Sequence, residues 1–278
     1  MIKVFEDILI AVPTTLLVLA IGTSIGSFIN VVVYRLPAGL SVLYPPSRCP
    51  RCFNKLKAYD NVPVFGWLWL KGRCRYCKSK IAARYPIVEG MTGLLFFLVF
   101  TVFHFSFSTI GYWVFCSWLL TLALIDFDTM TLPNTLTKSG LILGILFQAT
   151  LGWIILGNIS GVANYLMGAI GAAVLGLWLF DAIANVSSIA LGKTAMGAGD
   201  AKLAAMMGAW LGWKYLLLAS FMGCFFGAFF GGVVILLSRQ KRGQKIPFGP
   251  FLALGSVVTL LHGSEILSVY TQLFFNTL

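Results

Sequence analysis

Met196-Gly197-Ala198-Gly199-Asp200-Ala201-Lys202-Leu203 sets a carboxylate beside two glycines and two residues before a lysine, in a chain otherwise rich in apolar residues. An ionised group at membrane depth costs on the order of 3 kcal/mol on insertion scales, and such groups face a cavity or a partner. A partner for Asp200 is therefore expected among the other acids flanked by long apolar runs. These are Asp126 and Asp128, in Ala123-Leu124-Ile125-Asp126-Phe127-Asp128, and Asp181.

Composition supplies the membrane. Hydrophobic residues make up 59% of the 278 and charged residues 10%, and the mean hydropathy is +0.90. Soluble domains carry about 25% charged residues, so an ordinary soluble domain is excluded and the expected fold is an all-α polytopic membrane protein. A helix needs about 20 apolar residues to cross the hydrocarbon. About eight such runs occur, near 8–34, 87–106, 110–126, 136–157, 161–185, 202–219, 221–238 and 250–270. The first follows Lys3, Glu6 and Asp7, exceeds a signal-peptide core in length and has no small-residue cleavage site behind it, so it reads as a retained span.

The formal charge of +11 is explained by its distribution. Eleven of the twenty Lys and Arg lie between Arg35 and Arg84, against one acid, Asp60. With that loop cytoplasmic, eight spans put Lys138, Lys193, Lys202, Arg239, Lys241, Arg242 and Lys245 on or near the same side and leave Lys3 and Lys214 opposite. Eighteen against two is a positive-inside bias. Both termini then lie outside the cytoplasm, and the basic charge suits anionic lipid headgroups; no nucleic-acid partner is expected.

This topology brings two acids to one level. Asp126 closes a span entering the cytoplasmic face and Asp200 opens a span leaving it, 74 residues later. Asp128 lies about 200° around a helix from Asp126, so the two cannot aim at one site from regular helix. Asp181 lies deeper and reads as a snorkelling or helix-paired group. Pro133, in Thr131-Leu132-Pro133-Asn134, interrupts helix just after this level, where irregular backbone is tolerated only against protein or a wet cavity.

Three parts are expected: a first span over 1–34, a soluble piece over 35–86, and a membrane core over 87–278. In the first span, Gly22 and Gly26 have the spacing that lets helices approach closely. The soluble piece carries Cys49-Pro50-Arg51-Cys52 and, after 21 intervening residues, Cys74-Arg75-Tyr76-Cys77. Each Cys-x-x-Cys pair can chelate one edge of a tetrahedral zinc. A cytosolic loop disfavours disulfides, and some 50 residues can hardly bury a sufficient core, so zinc is expected in a structural role, with no open coordination position for water. Phe53, Tyr59, Phe65, Trp67, Trp69 and Tyr76 are expected to form a small core there or to rest on the lipid interface. Cys116 and Cys224, isolated within spans, read as buried small apolar residues.

Two carboxylates within hydrogen-bonding range share a proton: one activates water while the other protonates the scissile carbonyl. That is aspartyl proteolysis. The helix dipole favours charge on Asp200, at a helix N-terminus, over Asp126, at a C-terminus, which makes Asp200 the ionised partner and Asp126 the protonated one. Gly197 and Gly199 would let a substrate backbone approach. No His-Glu-x-x-His motif is present, and neither His104 nor His262 is placed to activate a serine.

These residues resemble the bacterial type IV prepilin peptidases, the leader peptidase/N-methyltransferase family. The likeness runs through Gly26-Ser27-Phe28-Ile29-Asn30 to Arg35-Leu36-Pro37, both Cys pairs, Arg84-Tyr85-Pro86-Ile87-Val88-Glu89, Ile125 to Asp128, Met196 to Leu203, and Ile246-Pro247-Phe248-Gly249-Pro250-Phe251. It implies catalytic Asp126 and Asp200, an active-site loop with Gly197, Gly199 and Lys202, and residence in the bacterial cytoplasmic (inner) membrane. It also implies cleavage of the short basic leader of prepilins or pseudopilins after a glycine at the cytoplasmic face, then methylation of the new N-terminus with S-adenosylmethionine. The methyltransferase part would comprise the first span and the zinc domain, and the peptidase the rest. Glycine fingerprints for the nucleoside cofactor are absent, so its residues are unassigned; Glu89 and the basic loop are its expected surroundings. Asn134 stands where the family usually has aspartate. A cation-coupled transporter using the aspartate pair is the alternative, but it predicts an internal repeat that the spans lack. A membrane-tethered nucleic-acid binder is a third reading.

Overall fold

The computed structural model describes residues 2–192, 196–237 and 246–275, with the side chains of 2–11, 191, 235 and 275 excepted. Lys193, Arg239, Lys241, Arg242 and Lys245, and the side chains of Lys3, Glu6 and Asp7, lie outside the described residues. The described elements are helical: α1 (Ile2–Arg35), α2 (Phe65–Trp69), α3 (Arg84–Phe103), α4 (Phe107–Thr129), α5 (Asn134–Leu156), α6 (Ile159–Leu191), α7 (Ala198–Leu237) and α8 (Gly249–Phe275). All but α2 are long and apolar enough to cross a membrane, seven among the described residues. The chain forms two compact units, 1–117 and 118–278, with α4 contributing to each.

In the first unit α1 and α3 pack side by side. The spacing of Gly22 and Gly26 serves that contact: a Cβ on Gly22 would stand 2.8 Å from Gly93 Cα, and one on Gly26 2.7 Å from Glu89 Cα. Without Cβ atoms the backbones meet directly, as small-xxx-small faces allow. Asn30 Nδ2 donates to the Tyr85 carbonyl at 3.1 Å, joining the end of α1 to the start of α3.

The second unit moves one boundary among the eight expected runs. The expected sixth and seventh spans, 202–219 and 221–238, belong to one element, α7, and its break falls earlier, at Gly212 (φ 75°, ψ 170°). That backbone conformation is essentially confined to glycine. The chain reverses there. Gly176 of α6 lies against both the Ala204 carbonyl and the Leu216 side chain, at 2.6 and 3.1 Å from an added Cβ. In a straight helix those residues would be about 18 Å apart along the axis. The first arm, 198–211, runs antiparallel to α6, with Gly208 on Ala172; the second, 213–237, runs antiparallel to α8, with Gly263 on Tyr215, Gly255 on Ala219 and Gly223 on Leu252.

Breaking the helix at Gly212 frees carbonyls that the next turn would have used. One of them, on Trp210, accepts from Gln148 Nε2 of α5 at 2.7 Å. The Trp210 indole N–H in turn donates to the Gly140 carbonyl at 2.8 Å. Leu203 through Leu211 are all buried, so the first arm is the central helix of its unit. A helix apolar all round finds that position because no face prefers water or requires lipid. Cys116 is buried as expected, whereas Cys224 is exposed on the second arm, where a small soft side chain is equally at home against lipid.

Candidate active site and cysteine centre

Asp126 sits one turn before the end of α4 and Asp200 in the first turn of α7; both are buried, with 6% and 9% of their surface exposed. They are close enough for the charge of Asp126 to act on Asp200. Of the two acids in the Ile125–Asp128 stretch, Asp126 is thus the one that lies near Asp200. Asp128, two residues on, is exposed, as is Asp181 on α6.

The Asp126 carboxylate is held from an unforeseen direction. Its Oδ2 accepts from the Gly249 backbone N–H at 2.9 Å, and Gly249 is the first residue of α8. A Cβ on Gly249 would lie 2.7 Å from that oxygen. The Ile246–Phe251 stretch thus both leads into α8 and supplies a donor to the Asp126 carboxylate. It also overturns the dipole assignment of roles. Although Asp126 belongs to the C-terminal turn of α4, its carboxylate stands at the N-terminus of α8, so the helix ends no longer distinguish it from Asp200.

Around Asp200 the chain is drawn close. The Asp200 N–H donates to the Gly197 carbonyl at 3.1 Å. Gly199 lies on Leu132, 3.0 Å from its Cβ to an added one, whereas a Cβ on Gly197 would meet nothing nearer than 3.9 Å. Lys202 Nζ donates to Asn134 Oδ1 at 2.6 Å, tying the first turn of α7 to the first turn of α5. Of the expected loop residues, Gly199 is thus a packing position, Gly197 is open, and Lys202 is a strut. Leu132 and Asn134, which bracket Pro133, supply the other half of each contact.

In the first unit the four thiols converge. The Sγ atoms of Cys49, Cys52, Cys74 and Cys77 all lie within 4.8 Å of one another, with Cys49 to Cys77 at 3.8 Å and Cys52 to Cys74 at 4.0 Å. A tetrahedron of sulfurs about 2.3 Å from a central ion has edges of about 3.8 Å, so the set could hold one metal ion. Two matching turns build it. Cys49 N–H donates to the Asn54 carbonyl and Cys74 N–H to that of Ser79. Phe53 and Lys78, at equivalent places, both have φ 57°, and the bridges Arg48 to Lys55 and Arg73 to Lys80 close the turns. The Cys52 backbone N–H, more than any other group, lowers the Cys49 thiol to about 6, and the Ser79 hydroxyl lowers Cys77. Thiolates are the ligand form.

Glu89 is buried on α3, and its Oε2 accepts from the Val64 N–H at 2.7 Å. Of the loop aromatics, Phe53, Tyr59, Phe65, Trp69 and Tyr76 are exposed, and Trp67 turns inward, its indole donating to the Ile81 carbonyl at 3.1 Å. Asp60 pairs with Arg75 at 2.7 Å.

A helical membrane protein with a buried carboxylate pair at the helix ends of one unit and a tetra-thiol centre in the other defines the class. Residues 20–103 match the bacterial peptidase A24 N-terminal domain, and residues 113–232 match the type IV leader peptidase family. The chain is 35% identical over 279 residues to a protein of Stutzerimonas stutzeri named prepilin leader peptidase/N-methyltransferase, covering 91% of this chain and 92% of the relative. Proteins of the same name from Aeromonas hydrophila and Pseudomonas aeruginosa are 36% and 34% identical, over 93% and 91% of this chain and 94% and 91% of theirs. No solved structure gives a significant match. This chain belongs to the type IV leader peptidase family.

Proposed function

We propose that this protein is a prepilin leader peptidase and N-methyltransferase of the bacterial inner membrane, with Asp126 and Asp200 as its peptidase dyad. It removes the leader of type IV prepilins or pseudopilins after a glycine at the cytoplasmic face and then methylates the exposed amino group. What supports the peptidase half is that Asp126 and Asp200 are both buried at helix ends of one unit, close enough for the charge of one to act on the other, with one oxygen of Asp126 committed to Gly249. That leaves its other oxygen to face Asp200, water or the scissile carbonyl. One carboxylate takes a proton from water as it attacks; the other donates a proton to the carbonyl oxygen. Family names support both activities, and no relative supports the transporter reading.

Zinc suits the four thiols by donor type and sulfur spacing, and a coordination sphere closed by four thiolates makes it structural. The methyl donor, S-adenosylmethionine, supplies an electrophilic methyl group. Glu89, the carboxylate expected near it, is engaged by the Val64 N–H, which supports a part in anchoring the loop.

The test is incubation of the purified protein with a leader-bearing prepilin, read by mass, beside Asp126→Asn and Asp200→Asn. Wild type removes the leader, each variant is slower by roughly a hundredfold to ten-thousandfold, and S-adenosylmethionine adds one methyl group to the wild-type product. Cleavage that survives either substitution removes that residue from the dyad.

A further inference from the structure

The short helix α2 has one face in the protein and one face bare. Gly66 lies on the Asp60 carbonyl, 2.6 Å from an added Cβ, and Trp67 covers Gly72 and bonds to Ile81. Phe65, Leu68 and Trp69 follow one another at the spacing of a single helix face and are 71%, 55% and 84% exposed. An apolar face this open needs an occupant.

Its depth identifies one. The Val64 N–H, at the residue before α2, is bonded to Glu89 Oε2 at 2.7 Å. Glu89 belongs to the second turn of α3, about 6 Å along the axis from Tyr85. At this level α3 presents Tyr85, Ile87 and Met91 outward, each nearly half exposed or more, which marks the first turns to meet lipid. Glu89 therefore pins α2 beside the end of a membrane-spanning helix. Interfacial helices bury their apolar side chains about 5–10 Å into the boundary of headgroups and acyl chains. Charge agrees with this. Lys71 and Arg73 follow α2 and are exposed, while the one acid of the loop, Asp60, is taken up by Arg75.

We propose that α2 is an in-plane membrane anchor: Phe65, Leu68 and Trp69 enter the leaflet at the level of the first turns of α3, and Lys71 and Arg73 meet anionic headgroups. The occupant is the bilayer surface. The cysteine domain is thereby held flat against the membrane by a metal-built loop at one end, Glu89 at the other, and lipid beneath.

The test uses the full chain in vesicles of phosphatidylcholine and phosphatidylglycerol, with phosphatidylcholine brominated either near the glycerol or near the chain methyl. The Trp69 emission is taken as the difference between wild type and Trp69→Phe, which keeps an aromatic ring; Phe65→Trp adds a second reporter to the same face. Metal content, measured for each, confirms an intact domain. Bromines near the glycerol are expected to quench this emission by about half, and those near the methyl end by less, as for an interfacial depth. No quenching at either depth, for both reporters, overturns the proposal and places the face in water or under protein. Stronger quenching from the methyl end also overturns it, as does quenching that vanishes when a prepilin is added, which would make the face a protein-docking surface.

Discussion

Asp126 and Gly249, 123 residues apart, are joined by one hydrogen bond of 2.9 Å from a backbone nitrogen to a buried carboxylate oxygen. Pro247 and Pro250 flank that donor and have no N–H of their own. The glycine is required twice: it supplies the donor, and it leaves room for the acceptor. Gly249→Ala sets a Cβ 2.7 Å from Oδ2, so the carboxylate must shift. A displacement on the scale of 1 Å in a reacting group costs on the order of a hundredfold in rate. The expected outcome is a kcat lowered by about that factor with KM little changed, measured on a leader-bearing peptide. An unaltered kcat would show that this hydrogen bond does not position Asp126 for the reaction.

Lys202 and Asn134 offer a milder test. Their contact is exposed, and exposed polar pairs contribute at most about 1 kcal/mol. Asn134→Asp keeps an oxygen for the ammonium group and restores the acid usual in the family, so cleavage should stay within about threefold of wild type. Asn134→Leu removes the acceptor and should cost more than Asn134→Asp. The two rates, compared in one assay, decide whether the contact matters as a hydrogen bond.

The four thiols make a prediction about folding. Structural zinc contributes on the order of 10 kcal/mol to domains of this size. Cys49→Ser or Cys74→Ser should reduce bound zinc from about one per chain to a small fraction of that, and open the loop between α1 and α3 to trypsin at its many lysines and arginines. Zinc by emission spectroscopy and the appearance of early tryptic fragments provide the readouts. Full zinc occupancy in either variant would exclude that cysteine as a ligand.

Gly212 and Gln148 should be felt in stability. Gly212→Ala forces a Cβ into a conformation that costs about 1–3 kcal/mol. Gln148→Leu leaves the buried Trp210 carbonyl without its donor, at a similar cost of about 1–3 kcal/mol. Both should lower the unfolding temperature in detergent. The two effects should not add fully, because both residues maintain the same reversal.

Much of this was written in local sequence. Apolar runs gave the helices, and paired Cys-x-x-Cys gave the thiol cluster, because both signals lie within one turn or one span. The two aspartates were matched by depth alone, since alternating spans bring the end of one helix level with the start of another. The reversal at Gly212 was misplaced because glycines at 208, 212, 223, 227, 231 and 232 blur any single break. Lys214, the one cation between Lys202 and the end of α7 at Leu237, was the available marker. The Gly249 contact was not legible at all. It is a long-range backbone interaction, and nothing in Ile246–Phe251 names the side chain it meets. The exposure of Cys224 was missed for a related reason, since hydropathy cannot tell a lipid-facing position from a protein-facing one.

The central arm of α7 carries one more consequence. From Leu203 to Leu211 it touches only protein, so a change in bilayer thickness, which tilts or stretches helices through their lipid contacts, has no surface there on which to act. The depth of Asp200 is set by Gly208 on Ala172 and Trp210 on Gly140 and Gly144. A cell that remodels its lipids with temperature would alter the surroundings of the outer helices and leave this carboxylate at the same height.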